Sequence, residues 1–144
     1  MAMNTGKVVV GGVAAGVVNN ALGFALFGLM LAPRFNAEMD AVMPGMSAKM
    51  NTTNAMVITI VFGFILGWLQ TWLYAAMRPR FGPGPKTATY GALVVWACGF
   101  LFHIELWMMG TVSTATYMMA TVAALVQCVG TSQAGAFVYK EEGA

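Results

Sequence analysis

Charged residues are scarce in this sequence. Only 8% of its 144 residues are charged, whereas 59% are hydrophobic, and the mean hydropathy is +0.73. A chain of this composition cannot cover its apolar surface in water, which excludes a soluble globular protein and predicts a membrane protein. The net charge is only +2. Because no basic run interleaved with aromatics exists outside one short loop, we expect no nucleic-acid partner.

Catalytic motifs are also absent. The sequence contains no Gly-x-Ser-x-Gly, His-Glu-x-x-His, nucleotide-binding loop, paired catalytic carboxylates or haem-attachment motif. Its two cysteines, Cys98 and Cys128, lie in apolar runs and are expected to be inert, although their matched depth leaves a bridge between them as an alternative. We predict no catalytic residue and no cofactor, and a non-enzymatic protein is favoured over an enzyme.

Four apolar stretches are long enough to be membrane-spanning helices. They cover residues 8–32, 54–77, 87–109 and 112–138, and each can cross about 30 Å of hydrocarbon at about 1.5 Å per residue. The sequence therefore predicts an all-α, integral membrane four-helix bundle that forms a single domain over residues 1–144. The first stretch is too long for a signal peptide and is interpreted as a retained helix, with cleavage after Ala32 as the alternative.

Basic residues are distributed unevenly between the two sides of such a bundle. Arg34 and Lys49 fall on one side, and five fall on the other: Lys7, Arg78, Arg80, Lys86 and Lys140. By the positive-inside rule the side with five is cytoplasmic, so both termini are predicted to lie inside the cell.

The three connections differ in length and composition. Residues 33–53 predict a long external loop with a short interfacial helix around residues 36–43, followed by a turn at Pro44-Gly45. Residues 78–86 contain three prolines and two glycines, and we expect no regular structure there. The third connection, around Gly110, is so short that the third and fourth helices should form a tight antiparallel hairpin.

Amide side chains interrupt the apolar runs. Asn19 and Asn20 lie in the middle of the first helix, and Asn20 and Gln127 are each thirteen residues from a terminal lysine. By helical rise both lie about 20 Å from the cytoplasmic side, so the amides are predicted to meet inside the bundle. Transmembrane amides commonly join helices, which favours a packing role, with a polar ligand site or ion path as the alternative.

Glycines recur at helical spacing on two of the predicted spans. Gly12 and Gly16 form a smooth stripe on the first helix, and Gly63 and Gly67 form another on the second. Small residues at this spacing let helices approach closely. The stripes predict helix packing, and self-association of the protein through a Gly-rich face.

His103 and Glu105 are the strongly ionisable residues within a predicted span. Ionisable residues in a membrane are candidates for function. Because His103 and Glu105 are two residues apart on a helix, their side chains point about 200° apart and cannot act on one face. We place them in a candidate polar layer with Asn19, Asn20 and Gln127.

Methionines are concentrated on the predicted external side, which carries ten of the thirteen. Thioether sulfur is a soft ligand that suits Cu(I). A copper site would draw on His103, Met39, Met43, Met108 and Met109. The same spacing also describes the apolar stripe of an interfacial helix, so both interpretations stay open.

The basic loop between the second and third spans is a candidate site for anionic lipid head groups. Arg78, Arg80 and Lys86 would bind the head group. An aromatic belt of Trp68, Trp72 and Tyr74 would lie below it. The alternative is that these charges only orient the chain in the membrane.

One segment of the chain, residues 72–88, is similar to part of other proteins and has the sequence WLYAAMRPRFGPGPKTA. This segment resembles a group of small bacterial membrane proteins with four predicted spans and no assigned activity; the rest of the chain resembles them only in span number and in its last segment, residues 135–140. The resemblance implies a multi-pass protein of the bacterial cytoplasmic (inner) membrane. Membrane-bound glutathione transferases also have four spans, but their basic, polar cytosolic half-helices are missing here.

These observations together predict a small polytopic membrane protein that self-associates or serves as an accessory subunit of a larger membrane complex. The alternative is a protein that binds a soft metal or a small ligand on its external side.

Overall fold

The computed structural model describes residues 3–139, and no strand occurs among them. Six α-helices follow one another along the chain: α1 (Thr5–Gly23), α2 (Ala32–Val42), α3 (Met46–Met50), α4 (Thr53–Phe81), α5 (Pro85–Met108) and α6 (Thr114–Val138). The predicted all-α class is confirmed for these residues. Lys140, the fifth basic residue of the predicted cytoplasmic side, lies outside them.

Four helices within residues 3–139 are long and apolar enough to cross a membrane. They have 38, 29, 24 and 25 residues and begin at Thr5, Thr53, Pro85 and Thr114. Large apolar side chains such as Val10, Phe62 and Leu101 are exposed on their outer surfaces. Surfaces of this kind are stable against lipid and not against water. The chain is therefore a multi-pass membrane protein.

The first helix is much longer than the predicted span. α1 continues through a π-helical segment, Phe24–Leu31, directly into α2, so that 38 residues form one rod about 57 Å long. The predicted separate interfacial helix around residues 36–43 is instead the end of this rod. Pro33 does not break it, because it lies in the first turn of α2, where a missing N–H costs little.

The second helix also continues beyond its predicted end. Residues 78–86 were expected to be irregular, but α4 includes Pro79 and ends only at Phe81, and α5 begins at Pro85. Pro79 cannot donate to the carbonyl four residues before it, and α4 ends two residues after it, at Phe81. Only residues 82–84 turn, and Gly82 and Gly84 take positive φ angles of 80° and 120° there.

The last two helices, α5 and α6, lie side by side. Ser132 Oγ donates to Ala88 O at 2.8 Å, and Trp96 Nε1 donates to Thr121 O at 2.9 Å. The residue of α5 in each bond has a higher number where its partner in α6 has a lower one, so the two helices are antiparallel. Residues 109–113 join them.

The two glycine stripes face each other inside one chain. A Cβ atom on Gly67 would overlap the backbone nitrogen of Gly16, and one on Gly12 would lie 2.9 Å from Trp68 Cα. A Cβ on Gly63 would overlap the amide of Asn20. The backbones of α1 and α4 therefore approach closely. The Gly-rich face predicted for self-association is occupied by the protein's own helix and is not free for a second copy.

The core is best packed at one end of the bundle. Its buried cluster consists of Val8, Tyr74, Ala75, Ala88 and Tyr139. We call this the terminal end, because α1 begins and α6 ends there. The opposite end, with α2, α3 and residues 109–113, is called the loop end.

The glycine contact gives a direct prediction about stability. Gly67→Ala should lower the free energy of unfolding by about 1–3 kcal/mol, because the added methyl group pushes α1 and α4 apart. Gly99→Ala is the matched control, since its Cβ has nothing within 4 Å and alanine is the better helix former by up to about 1 kcal/mol. Unfolding in detergent by heat or SDS measures both. Equal stability of the two variants would contradict the close contact.

Candidate functional site

A large cavity lies between α5 and the other long helices. Its volume is about 790 Å³ and its walls are mostly apolar. On α5 the lining residues run from Val94 to Leu106, a length of about 18 Å by helical rise. Ligand sites in proteins commonly have volumes of about 300–1,000 Å³ and apolar walls with a few polar groups. The cavity is therefore the candidate site.

Three amide side chains lie at the terminal end of this cavity. Asn19, Gln70 and Gln127 all line it. Asn19 and Gln70 are the lining residues of α1 and α4 that lie nearest the terminal end, and Gln127 is next to the corresponding residue of α6, Cys128. We call these three residues the amide floor.

Two residues of the amide floor are bonded to each other. Gln127 Nε2 donates to Asn19 O at 3.0 Å and to Asn19 Oδ1 at 3.2 Å. Thr131 Oγ1 also donates to Asn19 Oδ1, at 3.2 Å. These bonds connect Asn19, on α1, to two residues of α6. This part of the predicted polar layer joins helices and lines the cavity at the same time.

Gln70 is the third residue of the amide floor, and its carbonyl oxygen has no partner. The residue is 1% exposed, and within residues 3–139 Gln70 Oε1 accepts no hydrogen bond. An unsatisfied buried polar atom costs about 1–3 kcal/mol. Sequence reasoning missed Gln70, although the same signal that marked Asn19, an amide inside a long apolar run, was present.

Asn20 takes no part in the cavity. Its Nδ2 donates to Gly16 O at 2.9 Å and to Ile60 O at 3.2 Å, so it joins α1 to α4. The predicted meeting of amides therefore involves Asn19 and Gln127, not Asn20 and Gln127. The prediction used only the depth of each amide in the membrane. Neighbouring residues on a helix have nearly the same depth, but their side chains point about 100° apart.

Aromatic side chains and a histidine line the cavity between the amide floor and the loop end. The Trp96 and Phe100 rings are 5.9 Å apart, and the Phe100 and Tyr117 rings are 5.6 Å apart. His103 also lines the cavity, with Nδ1 2.7 Å from Gly99 O. Glu105 is exposed and does not line it. The two ionisable residues of the candidate layer are therefore separated.

The predicted soft-metal ligands are not all brought together. Met39 lines the cavity with His103, and Met50 joins them. Met43 does not line it, and Met108 and Met109 lie outside it with 72% of each residue exposed. No group of three His, Cys, Asp or Glu residues that could hold a metal occurs in the described part of the chain. Cys98 and Cys128 both line the cavity as free thiols.

The basic residues proposed for head-group contact lie at the terminal end. Arg80 and Lys86 are exposed, and Arg78 Cζ lies 5.9 Å from the centre of the Tyr139 ring. Trp68 and Trp72 are exposed as a belt requires. Tyr74 is not part of that belt, because it is buried in the core and its hydroxyl accepts a hydrogen bond from Gly84 N.

A carboxylate at the loop end was missed by sequence reasoning. Glu38 accepts hydrogen bonds from Ser113 N at 2.7 Å, from Ser113 Oγ at 2.9 Å and from Thr116 Oγ1 at 2.6 Å. It also pairs with Arg34 Nε at 3.4 Å. The negative charge lies at the N-terminus of α6, where the helix dipole favours it. The contact ties the long first helix to α6, across 75 residues of sequence that give no sign of it.

Comparisons with protein-family models, with curated proteins and with solved structures found no match. The functional argument therefore rests on the cavity and on the residues that line it.

The Glu38 contact predicts a measurable stabilisation of the loop end. Glu38→Gln should lower the thermal unfolding midpoint by several degrees, because the charge-assisted hydrogen bonds from Ser113 and Thr116 become neutral ones. Glu105→Gln removes the same charge from an exposed residue and is the control. Circular dichroism in detergent follows both. If the two variants unfold at the same temperature, the contact does not hold the helices together.

Proposed function

We propose that this membrane protein binds a largely apolar small molecule in the cavity between α5 and the other long helices. The observation that carries the proposal is the cavity itself, about 790 Å³ in volume, with apolar walls and three amides at one end. The cavity is open on one side, since lining residues such as Val94 and Cys98 are exposed. An open cleft of this size with a few polar groups has the dimensions and composition of a ligand site.

The separation of polar and apolar groups in the cavity supports the same proposal. Packing alone explains Asn20, which donates to Gly16 O within α1 and to Ile60 O of α4. It does not explain Gln70, which is buried in the cavity wall without a partner for its oxygen. Binding sites commonly keep a few polar groups in an apolar wall to orient a ligand.

Filling the cavity should abolish binding. Gly99 lines the cavity and has nothing within 4 Å of its Cβ position, so Gly99→Phe should place a ring in the cavity with little disturbance of the fold. We expect the fraction of protein that carries a small-molecule adduct, measured by native mass spectrometry after gentle extraction, to fall close to zero. Leu101→Phe, at an outward position that is 65% exposed, is the control. Adducts retained by Gly99→Phe would contradict this site.

We infer that the protein lies in a bacterial cytoplasmic membrane with its terminal end inside the cell. Within the described residues, Lys7, Arg78, Arg80 and Lys86 lie at or near the terminal end, and Arg34 and Lys49 lie at the loop end. The positive-inside rule then places the loop end outside. The bacterial origin is supported by the resemblance of residues 72–88 alone.

This orientation can be tested by cysteine labelling. A cysteine at Ser47, in α3, should react with a membrane-impermeant maleimide in intact cells. One at Lys86, at the start of α5, should react only after permeabilisation. Parent protein with both native cysteines replaced by alanine provides the background. The reverse pattern would show that the terminal end is outside.

Soft-metal binding is the second candidate function. Met39, Met50 and His103 line one cavity, and thioether and imidazole groups both bind Cu(I). Self-association or assembly with a partner chain also remains a proposal. It would have to use the outer faces of the helices, because the glycines pack inside the chain.

A further inference from the structure

We infer that the ligand is an uncharged amphiphile with a hydroxyl group at its polar end, and that it binds with this end on the amide floor and its apolar body toward the loop end. The inference rests on the proposed function and specifies the chemistry of the ligand. Three properties of the cavity carry it: the charges it lacks, the hydrogen-bonding group left without a partner, and the position of its aromatic wall.

Among the residues that the structure describes, the cavity lining contains no lysine, arginine, aspartate or glutamate. A carboxylate or phosphate on the amide floor would therefore be buried without a counter-ion, which is strongly unfavourable. The histidine of the lining, His103, lies nine residues along α5 from Val94, about 13 Å away by helical rise. It belongs to the other half of the cavity, so an uncharged polar group is favoured on the amide floor.

One acceptor of the amide floor is left without a hydrogen-bond donor within the described residues. Gln70 Oε1 accepts no bond, while the Gln127 amide nitrogen already donates to Asn19. A hydroxyl group is a donor and an acceptor, and it rotates to suit its neighbours. A ketone, an ether or a hydrocarbon brings no donor and leaves Gln70 Oε1 unsatisfied. If the Gln70 amide is turned over, the unpaired group is an N–H, and a hydroxyl group satisfies that orientation too because its oxygen accepts.

The remaining walls are suited to an apolar body. Trp96, Phe100 and Tyr117 form a continuous aromatic wall toward the loop end, with ring centroids 5.6–5.9 Å apart along the series. The polar atom of Trp96 is already used, because Nε1 donates to Thr121 O. A hydrocarbon chain or ring that starts at the amide floor would lie against these faces.

Four matched probes test the inference in nanodiscs of one lipid composition. They are 6-bromododecan-1-ol, its methyl ether, 6-bromododecanoic acid and 6-bromododecane. Bromine quenches tryptophan fluorescence at short range, and a bromine in the middle of a chain that runs from the amide floor toward the loop end lies near the Trp96 ring, which donates to Thr121 O. We expect saturable quenching, with the alcohol bound about tenfold more tightly than the ether or the bromoalkane, the ratio for one hydrogen bond to a buried group. The acid, measured at a pH where it is ionised, should bind less tightly than the alcohol.

Variants assign this preference to the amide floor. Gln70→Leu has nearly the same shape and removes the unpaired oxygen, so the alcohol should lose most of its advantage while the bromoalkane binds at least as tightly as before. Gln133→Leu is the control, because Gln133 bonds to Pro85 O and Thr89 Oγ1 outside the cavity. We expect Gln133→Leu to bind the four probes in the same order of affinity as wild-type protein.

The outcomes separate the two proposals. If none of the probes quenches saturably, the cavity is not a ligand site and the proposed function fails. If all four bind wild-type protein with equal affinity, or if the acid or the ether binds as tightly as the alcohol, the cavity binds ligands but the inferred hydroxyl is wrong. Should Gln70→Leu not fold, the ranking on wild-type protein decides alone.

Discussion

The contact between the backbones of α1 and α4 is the constraint on which the rest of the structure depends. Glycines on both helices let the two backbones approach closely, so the separation and register of the helices are both set there. Asn20 reinforces the register by donating to Ile60 O. Once Asn20 faces α4, its neighbour Asn19 must face α6 and the cavity, which places the first residue of the amide floor. A binding site and a packing interface thus arise from adjacent residues of one helix.

The cavity follows from the way side-chain size changes along α5. Ala88 and Ala92 are fully buried toward the terminal end, where small residues allow close packing. Farther along the same helix stand Trp96 and Phe100, whose rings occupy the space between α5 and α6. Small residues at one end and large ones at the other favour helices that diverge toward the loop end. Glu38 then joins the first helix to α6 at the loop end.

Sequence reasoning predicted the parts of this fold that depend on long-range composition. Four spanning helices follow from the long apolar runs, and the importance of amides and glycines follows from their rarity or spacing. It failed where a contact depends on the direction or the hydrogen bonding of a single residue. Asn19 and Asn20 differ by one step, which turns a side chain by about 100°. The prolines and glycines of residues 78–86 predicted irregular structure, but α4 continues through Pro79 to Phe81. The role of Gln70 can be recognised only from the structure, where its side-chain oxygen has no hydrogen-bond partner.

The π-helical segment has a geometrical consequence for the first helix. Phe35 lies sixteen residues after Asn19, and in an uninterrupted α-helix the two would point about 160° apart, onto opposite faces. Both line the same cavity. The wider turns of Phe24–Leu31 rotate the chain less per residue and so remove most of this difference. The segment therefore lets the residues before it and the residues after it contribute to the same cavity.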